Sequence, residues 1–181
     1  VFDATQAPYK IVAKYRNNDI KPIVFPNILK RIADYYNKAY VLIEINDLGQ
    51  QVADAMQFEL EYDNMMMVTQ RGRAGQVLGG GFSGRGNQLG LRMTKGTKKI
   101  GTSNLKSLIE GDKLIIQDFE IVSELSTFIS KGKSFEAENG AHDDLVMCLV
   151  IFSWCANQRY FKELTNVDVR GQMFTDQKNA I

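Results

Sequence analysis

The strongest constraint on how this chain folds lies near its C-terminal end. From about residue 143 to about residue 164 the spacing predicts one long helix, with Leu145, Val146, Leu149, Val150, Phe152, Trp154 and Phe161 among its apolar positions. A helix this apolar has to pack against other elements. The elements before it alternate in type. Residues 9–15 read as a strand paired with whatever ends at Val1 and Phe2, and Pro26 and Asn27 open a helix with Ile28, Leu29, Ile32, Tyr35 and Tyr36 on one stripe. A strand over 40–45, a helix over about 50–60 and a strand over 65–69 follow. Beyond a glycine-rich stretch, Thr102 or Ser103 is expected to cap a helix that Gly111 stops. Residues 113–117 then read as a strand, 120–130 as a helix, and 131–137 as a turn leading into a short extended segment. Such alternation predicts an α/β domain, a mixed central sheet with helices on both faces.

At 181 residues the chain is expected to form a single domain, 1–181, with 165–181 as a C-terminal tail. A domain of this size buries roughly 70% of the surface its unfolded chain exposes. Hydrophobic residues at 44%, charged residues at 24% and only three prolines exclude a collagen-like chain, a disordered tail and a disulfide-stapled miniprotein. No apolar run approaches the roughly 18 residues of a membrane span. Cys148 and Cys155 lie on one helix face, two turns apart and too far to bridge, and are expected to be reduced core thiols, as suits a cytoplasmic protein. The start Val1, Phe2, Asp3 has neither an initiator methionine nor the pattern of a signal peptide, which suggests an excised piece of a longer chain.

The net charge of +1 hides a strong asymmetry. From Asn64 to Ile109 there is no Asp or Glu, while Arg71, Arg73, Arg85, Arg92, Lys95, Lys98, Lys99 and Lys106 are all cationic. Those eight leave 14 cations against 21 acids in the rest of the chain. Ten of the fifteen glycines fall between Gly72 and Gly101, so residues 71–101 are expected to be a flexible basic loop. Such a segment can follow a phosphate backbone without reading bases, by Coulomb attraction and counterion release.

Two acidic features can carry chemistry. Glu44 ends the apolar run Tyr40 to Ile45, and the carboxyl ends of strands are where α/β folds build sites. Asp143 and Asp144 stand at the mouth of the apolar helix, where an N-cap and a favourable helix dipole explain them equally well. If the helix packs on the sheet, its acids come near Glu44, and several carboxylates at one point repel unless a cation neutralises them. A carboxylate set without thiolate or imidazole suits Mg²⁺ or Mn²⁺ better than zinc, and the lone His142 makes no zinc site. Two such ions about 4 Å apart can activate a water and stabilise a leaving oxygen in phosphodiester cleavage. The sequence has no Gly-x-Ser-x-Gly elbow, no base near either cysteine and no Walker lysine motif. Acid cluster and basic stretch therefore point to a nuclease.

Several stretches resemble the C-terminal nuclease domain of the large terminase (DNA-packaging) protein of T-even-type tailed bacteriophages. They are Tyr40 to Asn46, Thr94 to Lys98, Leu105 to Ile116, and above all Gly140 to Met147 followed by Leu149 to Phe152. The resemblance implies an RNase H-like fold and metal-dependent, sequence-independent cutting of double-stranded, concatemeric DNA. It implies three carboxylates, of which Glu44 is the second and Asp144, supported by Asp143, the third. The first would lie on a strand upstream of the hairpin that residues 1–15 complete, so one ligand is expected to be missing from the chain; Asp3, at a turn, is not assigned. Arg71, Arg73, Arg85, Arg92, Lys95, Lys98 and Lys99 are the expected phosphate contacts. An N-terminal ATPase domain, a portal and a small terminase are the implied partners, and the host cytoplasm the implied location. Two alternatives stand beside this reading: another RNase H-like nuclease of the junction-resolvase type, and a DNA-binding or docking module whose acids are only caps and hydrogen-bond acceptors.

Overall fold

A computed structural model describes residues 1–72, 75–79, 86–132 and 134–165. The chain divides into two compact units, one made of Val1–Tyr15 with the chain from Lys95 on, the other of Arg16–Thr94.

In the first unit, β1 (Phe2–Asp3) runs antiparallel to β2 (Tyr9–Ile11), with Phe2 opposite Ile11. A parallel neighbour, β6 (Leu114–Ile115), pairs Tyr9 with Leu114. The reading of residues 9–15 and 113–117 as strands is right in place and generous in length. The aromatic faces of this sheet meet α5 (Asp144–Ala156): Phe2 stacks on Phe152 with centroids 4.0 Å apart, and Tyr9 meets the same ring edge-on at 5.5 Å. Phe161, on a further helical stretch at 159–165, closes the cluster 6.1 Å from Phe152. The expected single helix to 164 is thus broken after Ala156. Five consecutive residues from Phe152 to Ala156 are buried, so that the C-terminal end of α5 is enclosed on all sides. Cys155 is buried there whereas Cys148, on the same face by spacing, is exposed, so only one of the two is a core thiol. The face they share is covered at its C-terminal end alone.

Alongside α5 lies α3 (Lys95–Glu110), which starts seven residues before the expected cap at Thr102 and ends, as expected, before Gly111. The approach is close. A Cβ on Gly101 would stand 2.6 Å from the Val150 carbonyl oxygen, and Asn104 Nδ2 donates to the Ser153 carbonyl at 3.3 Å. Next, α4 (Phe119–Ser126) is capped by Asp118, whose carboxylate accepts from the Ile121 amide at 3.1 Å. Lys14 reaches the same carboxylate at 2.7 Å. The helix expected to continue to Ser130 gives way to a hairpin, β7 (Phe128–Lys131) and β8 (Ser134–Ala137), closed by stacking of Phe128 on Phe135.

In the second unit, α1 (Phe25–Tyr35) has Pro26 in its first turn, where a missing N–H costs nothing. α2 (Gly49–Asp54) runs on into a π-helical turn, Ala55–Glu59, that completes the amphipathic helix expected over 50–60. Ala33, Ala53, Met56 and Met67 pack into the core of this unit. Tyr62 belongs to the same core, and its hydroxyl donates to the Ala39 carbonyl at 2.6 Å. β3 (Met67–Arg71) lies between β4 (Gly75–Gly79) and β5 (Asn87–Gln88), antiparallel to both. Within the stretch 71–101 read as a loop, residues 75–79 and 87–88 are strands, and its end, from Lys95, is the start of α3. The mixed α/β content is as expected. In place of one central sheet, the described residues form three small ones. Among them no helix is long and apolar enough to cross a membrane.

Candidate active site

The acid pair stands on the first turn of α5, and its surroundings separate two readings of it. Asp143 occupies the N-cap position, yet its side chain makes no cap hydrogen bond, and its φ of −129° and ψ of 15° lie away from the extended backbone usual for a cap. The amides it would serve are taken by another acid. Glu124 of α4, only 7% exposed, accepts from the Leu145 amide at 2.7 Å and the Val146 amide at 3.2 Å through one oxygen, Oε2. Those are the second and third helical residues, the two that a capping side chain reaches. Of the two readings of Asp143, the plain N-cap therefore fails at its side chain. Asp143 Oδ2 instead faces Lys98 Nζ at 3.6 Å, and Asp144 is exposed. His142 is exposed beside them.

Glu44 belongs to the other unit. The run from Tyr40 to Ile45 is not a regular strand, because it changes partner halfway: Val41 bridges Met65, while Glu44 bridges Leu91. The Leu91 amide donates to the Ile43 carbonyl at 2.8 Å, and the Ile45 amide to the Leu91 carbonyl at 2.9 Å. Two residues on, Asn46 clasps Met93 through both groups of its side-chain amide, at 3.0 and 2.8 Å. Glycines close the backbone in. A Cβ at Gly49 would lie 1.8 Å from the Glu44 carbonyl oxygen, and one at Gly90, where φ is +118°, would lie 2.3 Å from the Ile43 carbonyl oxygen. Glu44 itself is half-buried.

Of the expected phosphate contacts, Arg71 and Arg92 are exposed in the second unit, and Lys95 and Lys99 are exposed on the first turns of α3. Arg92 has its backbone fixed at both groups by Gln76. Lys98 is different: its side chain is only 18% exposed, paired with Asp143 and lying 5.6 Å over the Phe128 ring. Arg73 and Arg85 lie outside the described residues, as does the expected tail from 166 on.

The structure thus brings Asp143 and Asp144 together with Lys98 and Glu124, in one unit, and places Glu44 in the other. Among the described residues no group of three or more His, Cys, Asp or Glu is gathered for a metal ion. The donor chemistry at the start of α5 nonetheless fits a hard divalent cation: two adjacent carboxylates, no thiolate, and an N-cap aspartate whose oxygen is not spent on the helix. Glu124 is the residue that sequence reasoning missed. The signal was a charge three residues after Ile121 and beside Leu125, on the stripe meant to be apolar. Compared with known families, the chain matches the terminase RNaseH-like domain over residues 1–152 of 181, and it belongs to that family.

Proposed function

From that membership we propose that the chain is a metal-dependent endonuclease domain of a tailed-phage DNA-packaging terminase, of the T-even type, which cuts concatemeric double-stranded DNA without strong sequence preference. The observation that carries the reading is the match over residues 1–152, which spans Glu44, the acid pair and the whole basic stretch. Glu44, Asp143 and Asp144 are assigned to hold Mg²⁺ or Mn²⁺, which would supply an activated water and charge neutralisation at the scissile phosphate.

The chain's own residues do the rest. Lys98 offsets the charge of Asp143. Arg71, Arg73, Arg85, Arg92, Lys95 and Lys99, with Lys98, hold phosphates without reading bases, so binding should weaken steeply with salt. An ATPase domain, portal and small terminase as partners, and the host cytoplasm as location, belong to the same proposal. So does the assignment of residues 1–181 to a single nuclease domain.

The test is nicking of supercoiled plasmid with Mg²⁺ or Mn²⁺ beside an EDTA control, by this chain and by a form carrying the upstream strand that the resemblance implies. Cation-dependent cutting lost in Glu44→Ala and Asp144→Ala is expected. Cutting at the parent rate by either variant would remove these ligands from the assignment. Preference for four-way junctions would favour the resolvase reading, and binding without cutting, indifferent to EDTA, the docking module.

A further inference from the structure

A buried carboxylate needs a reason. Taking Glu124 out of water costs several kcal/mol unless its charge is met, and here it is met by two amides at the positive end of a 13-residue helix. The same amides could be capped far more cheaply by Asp143, which already occupies the N-cap position on the surface of that helix. The fold uses a buried glutamate for a task beside which a half-buried aspartate already stands. We propose that Glu124 is a positioning residue: by capping α5 from α4 it keeps the Asp143 carboxylate out of the cap and turned toward Lys98, beside Asp144. What Asp143 then does, holding a divalent cation, rests on the proposed function; the capping exchange itself does not.

The exchange has a thermodynamic signature. Without the Glu124 carboxylate, Asp143 is the nearest acceptor for the Leu145 and Val146 amides and folds back onto them. The experiment is a melting cycle in EDTA on the parent chain, Glu124→Ala, Asp143→Ala and the double variant, followed by Mn²⁺ binding read from the EPR signal of free Mn²⁺. Asp143→Ala should barely move the melting temperature of the parent and should lower it clearly in the Glu124→Ala background. Mn²⁺ binding should weaken roughly 10- to 100-fold in Glu124→Ala, as for other residues that orient ligands from behind. It should recover in Glu124→Gln, whose amide oxygen can accept from both N–H groups.

An equal effect of Asp143→Ala in both backgrounds would overturn the proposal, as would parent-like Mn²⁺ affinity in Glu124→Ala. If the cycle behaves as stated while the parent takes up no Mn²⁺, the cap assignment stands and the ion-holding reading falls. Should Glu124→Ala fail to fold, Glu124→Asp, one methylene too short to reach both amides, takes its place in the cycle with the same expected outcomes.

Discussion

Glu44 and the Asp143–Asp144 pair are held by opposite devices. Around Glu44 the constraint is the backbone, closed in by residues that lack a side chain, Gly49 and Gly90. Around the acid pair it is a side chain, Glu124, reaching from one helix to the amides of the next. The first device fails when an atom is added and the second when one is removed. A unit built on close backbone approach tolerates loss of the acid it presents but not growth of its neighbours, whereas the α5 end depends on packing and charge brought from elsewhere in its unit.

The largest expected effect tests the packed side of this comparison. Phe152→Ala removes the ring on which Phe2, Tyr9 and Phe161 converge, and should cost about 3–5 kcal/mol in denaturant unfolding. A cost below about 1.5 kcal/mol, as for a volume-conserving core exchange, would mean that α5 is not anchored there. Next is Gly49→Ala, where the clash is with backbone and no rotamer relieves it; a loss of about 3 kcal/mol is expected, at the upper end of overpacking. Normal melting of this variant would break the backbone half of the contrast.

A smaller effect is expected at Tyr62. Burial, with the charge of Asp34 second, pushes its phenol from 10.0 up to about 12. A raised folded value means stability that is fully present below pH 10 and is lost as the pH rises through about 12. Tyr62→Phe should cost about 1 kcal/mol at neutral pH, for the lost bond to Ala39, and should flatten the alkaline limb of the stability curve. An alkaline limb unchanged in the variant would assign that loss to other groups. The smallest difference sharpens the contrast between two aspartates at helix starts. Asp118, which bonds the Ile121 amide, should lower the melting temperature when changed to Ala more than Asp143 does. The reverse order would restore Asp143 as an ordinary cap.

Much of the fold was legible because apolar spacing is a local signal. The stripe of α1, the helix after Asn46, the strands around Tyr9, Val68 and Leu114, and the opening of α5 all lie where periodicity puts them. What was not legible depends on partners far along the chain. The start of α3 was sought at a capping residue, Thr102 or Ser103, and lies at Lys95 instead. The segment after Ser126 reads as helix through Phe128 and Ile129, but cross-strand pairing with residues 134–137 takes them into a hairpin. At the site, Glu44 and the acid pair stood out by residue type alone. Glu124 showed only as a charge on an apolar stripe, and its partners, backbone amides 21 and 22 residues away, could not be read from side-chain pattern.

The crowding at residues 49 and 90 bears on how variation in this protein should be read. Every missense change from glycine adds a Cβ, so in a mutational scan both positions should be depleted of all replacements even when the readout is abundance alone. Invariance at these two codons reports on chain packing, and a survey that ranks residues by intolerance will score them beside Glu44 without their touching any chemistry.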